Sequence, residues 1–195
     1  MDEAVDFTGQ TRLVAALAER VPDARLEDPT PCGEMAVRHL LGHLTVLAGA
    51  FAAAGRKDFG PQTDTPPDTG RPDLDARWRE ELPERLAALA QAWRDPKAWE
   101  GETRAGGFDM PAPVAGRVAV NELVLHGWDL ARATGQPYAP DEAALRLSYE
   151  LVAATPEGPE RAGMFGPVVP VPEDAPLLDR VLGLSGRHPD WTAPR

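Results

Sequence analysis

The sequence predicts an all-α protein, a bundle of amphipathic helices, and three observations carry that expectation. Apolar residues recur at three- and four-residue steps in several separate windows, the spacing of a helix with one buried face. Clusters drawn from 21 Pro and 18 Gly separate those windows, so the connections between helices are long and well punctuated. The 195 residues, 43% hydrophobic and 26% charged, suit one soluble domain with a real core, or one domain with a small appendage.

Taken in order, residues 7–20 place Leu13, Val14, Leu17 and Ala18 at helical spacing before Pro22 ends the segment. Residues 21–33 form a proline-rich connection ending in Pro29-Thr30-Pro31-Cys32-Gly33. A second helix is expected over 34–54, with Leu40, Leu44, Leu47 and Phe51 on its apolar face, His43 projecting from the middle of that face, and Arg38, Gly42 and Thr45 on the far side. Residues 55–71 lack periodicity and read as a loop. A third helix spans 74–93, and Pro83 inside it predicts a kink or a division into two. An extended crossover over 96–113, with a possible short strand at 98–104, leads to a fourth helix over 114–134 closed by Gly135. A shorter helix at 141–153 starts on Asp141, which suits its unpaired amides. The Pro-rich segment from Phe165 to Pro172 is stiff and extended, and a last short helix follows at 175–184. Residues 1–160 are thus expected to form the bundle and residues 161–195 a tail packed on it.

Two helices break the usual rule that ionisable side chains face water. The fourth, through Asn121-Glu122-Leu123-Val124-Leu125-His126-Gly127-Trp128-Asp129-Leu130, is apolar almost all the way round. At about 100° per residue, Glu122, His126 and Asp129 nonetheless fall within about 60° of one another. A carboxylate so flanked is costly to bury unless a positive charge pairs with it. Glu and His one turn apart chelate a single ion, and His43 from the second helix supplies a third donor. Two imidazoles and one carboxylate leave coordination positions open, favour Zn²⁺, and also accept Ni²⁺, Co²⁺ or Fe²⁺. His39, one turn before His43, stands either near such an ion or at the edge of the face with partial solvent contact. Asp129 either orients a ligand from behind or pairs with Arg132 or Arg117. Trp128 reads as core, and nothing recommends His188 as a ligand. Cys32, the single cysteine, has no base identifiable in the sequence and reads as a packing residue. No residue is assigned a catalytic role.

Other classes are disfavoured. A net charge of −11 and a pI near 4.8 argue against nucleic acid and anionic membranes as partners. No run approaches about 18 apolar residues, the acidic N-terminus lacks the regions of a secretory signal, and one cysteine permits no internal disulfide, so a cytoplasmic location is expected. No Gly-rich phosphate loop, nucleophile elbow or nucleotide fingerprint is present.

Thr30-Pro31-Cys32 followed by Val37-Arg38-His39-Leu40-Leu41-Gly42-His43-Leu44, and Asn121-Glu122 through Gly135-Gln136, together with the tail from Phe165-Gly166-Pro167 to Asp179-Arg180, resemble a bacterial metal-binding family. That family is related to the N-terminal domain of mycothiol-dependent maleylpyruvate isomerase. Met35 stands where its pattern usually has tryptophan, and Ala36 and His39 where it has a polar cap and an acid. The resemblance implies a DinB-like four-helix bundle with a divalent ion on His43, Glu122 and His126. It also implies a small-molecule thiol such as mycothiol, activated for transfer to an electrophile or for cis–trans isomerisation. A metal protein without turnover, and a small-molecule binding or resistance module on the same fold, are the alternatives. The oligomeric state stays open between monomer and homodimer.

Overall fold

The computed structural model describes residues 5–33, 35–66, 74–155, 157–158, 161 and 164–193. The described chain is mainly helical, with α1 (Thr8–Glu19), α2 (Val37–Arg56), the single turn α3 (Pro61–Asp64) and α4 (Trp78–Trp93) in its first half. A hairpin of β1 (Glu102–Ala105) and β2 (Phe108–Pro111) precedes α5 (Ala112–Thr134), α6 (Glu142–Ala154) and α7 (Leu177–Leu184). Each of α1 and α2 packs on both α4 and α5, α6 lies on α5, and α7 lies on α6. The main core fills the space among the long helices, with Val14, Leu40, Leu44, Leu82, Leu89, Leu123 and Leu130 fully buried.

The termini of the elements follow their local chemistry. Gly135, at φ +70°, closes α5 in the left-handed conformation that a Cβ disfavours, and its neighbourhood returns amides to the Ala131 and Arg132 carbonyls. Asp141 caps α6 by accepting a hydrogen bond from the Ala144 amide at 3.1 Å. Pro113 sits in the first turn of α5, where a missing N–H costs nothing.

Several expectations are corrected. The second helix begins at Val37 and not near 34, because Pro29 and Ala36 form an antiparallel bridge and the Val37 amide bonds the Asp28 carbonyl. Glu34 itself lies outside the described residues, as do residues 67–71 of the expected loop and residue 160 at the expected edge of the tail. That loop also holds the turn α3. The third helix starts at Trp78, since Asp75 turns the chain by accepting from the Arg77 and Trp78 amides. It then runs unbroken through Pro83, with Leu82 and Leu86 buried on either side of the proline. The crossover forms a two-stranded hairpin, so its strand lies later than predicted and has a partner.

α2 is long and apolar enough to cross a membrane by length and composition, yet 61% of that stretch is buried inside the fold. Gly42 and Thr45, expected on a far side, are buried too, and Arg85 of α4 reaches the Thr45 carbonyl at 3.3 Å. The least buried stripe of α2 is His39, His43, Val46 and Ala50. His43 therefore stands on the open seam of the helix and not amid its buried face.

Candidate metal centre

The centre lies where that seam meets the partly open stripe of α5, Val114, Val118 and Glu122. His43 Nε2 stands 3.3 Å from Glu122 Oε2, and His126 Nε2 stands 3.1 Å from the same oxygen. The two imidazoles meet edge to face with centroids 4.8 Å apart. His126 is nearly enclosed, whereas the side chains of His43 and Glu122 remain 21% and 27% exposed. Three donors thus converge on one locus that is walled behind and open in front.

Behind His126, Nδ1 donates to Asp129 Oδ2 at 3.0 Å, and Asp129 is fully buried. Its partner is Arg187 from the C-terminal segment, which grips the carboxylate with Nε to Oδ1 at 2.9 Å and Nη2 to Oδ2 at 2.7 Å. Neither Arg132 nor Arg117 takes that place: Arg132 donates instead to the carbonyls of Pro189 and Trp191. Burial alone would raise the Asp129 carboxyl, but Arg187 and His126 overcome it and hold the group below the ordinary range. Burial likewise opposes charge on His126, yet Asp129, Cys32 and Glu122 together push its pKa well above the ordinary histidine value. Glu122 shows the same contest, with hydrogen bonds to His126 and His43 overcoming burial and holding it far down. Carboxylate acceptors thus face both ends of the His126 ring, Asp129 at Nδ1 and Glu122 at Nε2.

Among the described residues, two groups of donors lie within 4.8 Å of one another: His43, Glu122 and His126, and Cys32, His126 and Asp129. The second is poorly suited to a cation, because Arg187 saturates both Asp129 oxygens and brings its own positive charge. The first fits. Two ligands at about 2.0–2.1 Å from a tetrahedral ion stand about 3.3 Å apart, close to the two N···O separations observed.

His39 is not among the converging side chains. Its Nδ1 accepts the Ala36 amide at 3.1 Å, taking the place an acid would have in a capping box. Trp128 is buried in a cluster with Leu125, Val152, Val181 and Leu182, as core. His188 is exposed, and its Nδ1 receives the Asp190 amide at 3.3 Å. Sequence reasoning missed two residues. Cys32, whose amide donates to Thr30 Oγ1 at 3.1 Å, lies with its Sγ within 4.8 Å of donor atoms of His126 and Asp129. Arg187 gave no positional signal beyond the need of a buried Asp129 for a cation.

Fold and site together define a helical protein with a two-histidine, one-carboxylate cluster at the seam of two core helices. A family model described as the mycothiol maleylpyruvate isomerase N-terminal domain matches residues 7–131, and the chain belongs to that family. Uncharacterized proteins of two Mycobacterium tuberculosis strains, H37Rv and CDC 1551, are each 28% identical over 177 residues, covering 89% of this chain and 91% of theirs. Crystal structures of the mycothiol-dependent maleylpyruvate isomerase and of a histidine-to-alanine mutant superpose with TM-scores of 0.52 and 0.54 at 20% identity. Those superpositions cover 73% of this chain and 65% of the isomerase, and they establish the shared fold.

Proposed function

We propose that this protein binds one divalent metal ion, Zn²⁺ foremost, on His43, Glu122 and His126, and is a metal-dependent thiol transferase or isomerase acting on a small electrophile. The observation that carries the reading is the meeting of both imidazole Nε2 atoms at one carboxylate oxygen, 3.1 and 3.3 Å away, beside an opening to solvent. The family name supports a thiol of the mycothiol type as the co-substrate. Held there, a divalent ion would favour the thiolate form of a coordinating thiol and act as a Lewis acid.

The chain's own residues do the rest. With the ion in place, Asp129 would keep the proton of His126 on Nδ1 and leave the Nε2 lone pair for the metal. Glu122 and His43 form the outer edge, where a small molecule gains access. The adjoining open stripes carry Val46 and Ala50 on α2 and Val114 and Val118 on α5, so an electrophile approaching by them meets aliphatic surface.

Elemental analysis of the purified protein tests the site. About one equivalent of Zn²⁺ is expected in the unmutated chain, with strong loss in Glu122→Ala/His126→Ala; a metal-free unmutated protein after Zn²⁺ exposure sinks the reading. Mycothiol consumption across a panel of small electrophiles tests the reaction. Metal bound without turnover on any electrophile would leave a metal protein and remove the enzyme.

A further inference from the structure

We propose that Arg187 is a positioning residue of the metal centre, fixing the His126 imidazole through Asp129; this rests on the reading of His43, Glu122 and His126 as ligands. Asp129 Oδ2 is shared: it accepts from Arg187 Nη2 at 2.7 Å and from His126 Nδ1 at 3.0 Å, while Oδ1 accepts from Arg187 Nε at 2.9 Å. With Asp129 at 0% exposure, bulk water does not substitute for any of these donors. The guanidinium fork holds the carboxylate charged and in one orientation, and the carboxylate in turn holds the ring of His126 and its tautomer. A carboxylate behind a metal-binding histidine sets which nitrogen keeps a lone pair; here a second residue, from a distant part of the chain, sets the carboxylate.

The C-terminal segment is built to deliver that fork. The Arg187 amide bonds the Leu182 carbonyl at 2.8 Å, anchoring the residue to the end of α7. Gly186 has φ +85°, and a Cβ there would come within 2.6 Å of the Gly166 Cα, so two stretches of tail backbone cross at a point open only to glycine. Arg161 Nε holds the far side of that crossing through the Gly166 carbonyl at 2.7 Å. Arg132 of α5 then secures the segment beyond, at Pro189 and Trp191. All of this lies beyond residue 131, where the family match ends. The tail is therefore part of the centre, although it contributes no ligand.

The test is a Zn²⁺ titration of chelator-stripped protein against a chromophoric competitor, with the Co²⁺ absorption spectrum as a report on ligand geometry. Arg187→Met is expected to weaken Zn²⁺ binding by about 10–100-fold and to alter the Co²⁺ spectrum. Arg187→Lys restores charge but not the fork and is expected to recover part of the affinity. Should Arg187→Met fail to fold with Asp129 left unpaired, Asp129→Asn/Arg187→Met removes both charges and is expected to fold while still binding more weakly. Arg146→Gln removes a cation from an exposed pair with Glu142 on α6, away from the tail and the centre, and is expected to bind as the unmutated protein does. Unchanged affinity and spectrum in the Arg187 variants would overturn the proposal, as would an equal loss in Arg146→Gln. An unmutated protein that takes up no Zn²⁺ would overturn the metal reading itself, and this inference with it.

Discussion

His39 shows how one side chain is reassigned by its immediate geometry. From helical spacing it stands one turn from His43, which leaves a role near the ion open. In the fold its Nδ1 is spent on the Ala36 amide, an orphan donor that the alanine side chain has no means to satisfy. His39→Ala is accordingly expected to lower stability by about 0.5–1 kcal/mol, the low end of a lost cap interaction. Denaturant unfolding would read that loss, and Zn²⁺ stoichiometry in the same variant is expected to stay unchanged; a variant that loses metal would return His39 to the centre. Asp129 moves the other way, from a residue with two open roles to the link between His126 and the tail. Its partner was illegible in the sequence because a guanidinium reaches it across the fold, whereas the expected partners Arg132 and Arg117 were chosen for nearness along the chain.

At the scale of elements, legibility tracked how much each pattern constrains. That Glu122 and His126 meet was readable because side chains one turn apart leave a helix on the same face, and they stand 3.1 Å apart on a helix buried nearly all round. The same uniformity hid the orientation of α2: with apolar residues on every side, periodicity gives no means to choose the stripe left open, so His43 was placed amid the core and is found at its edge. The second strand of the hairpin was missed because Phe108-Asp109-Met110-Pro111 is only four residues long, ends in proline and buries none of its side chains. Glycines inside α5 were likewise unreadable as packing devices. At Gly116 a Cβ would fall 2.6 Å from Trp99 and 2.8 Å from Trp93, whose rings meet edge to face and whose indole N–H groups are bonded to the Phe51 and Trp93 carbonyls. Those rings are held by both packing and hydrogen bonds, so they have little freedom to withdraw. Gly116→Ala is therefore expected to destabilise by about 1–3 kcal/mol through overpacking, outweighing its gain in helix propensity. Thermal melting would measure it, and an unchanged or raised Tm would show that the aromatic cluster yields.

Across the whole molecule, the centre joins parts of the chain that are far apart in sequence. α2 brings His43, α5 brings Glu122 and His126, and the tail reaches Asp129 through Arg187 while Val181 and Leu182 pack against Leu125 and Trp128. In the unfolded chain these donors are scattered, so an ion that binds them together binds the native state almost exclusively. Linkage then fixes the size of the effect: free metal at 100 times its Kd adds about 2.7 kcal/mol. For a chain of this length each kcal/mol moves Tm by about 2–4 °C, so Zn²⁺ at that concentration is expected to raise Tm by about 5–10 °C over chelator-stripped protein. Glu122→Ala removes the oxygen on which both imidazoles converge, and its melting temperature is expected to respond little to Zn²⁺. Calorimetry with and without the ion distinguishes the cases, and equal shifts in the two proteins would place the metal away from these three residues. A shift near the expected size in the unmutated chain alone would show that ion binding and folding are coupled through one centre, because ordering any single one of these segments would not bring the three donors together.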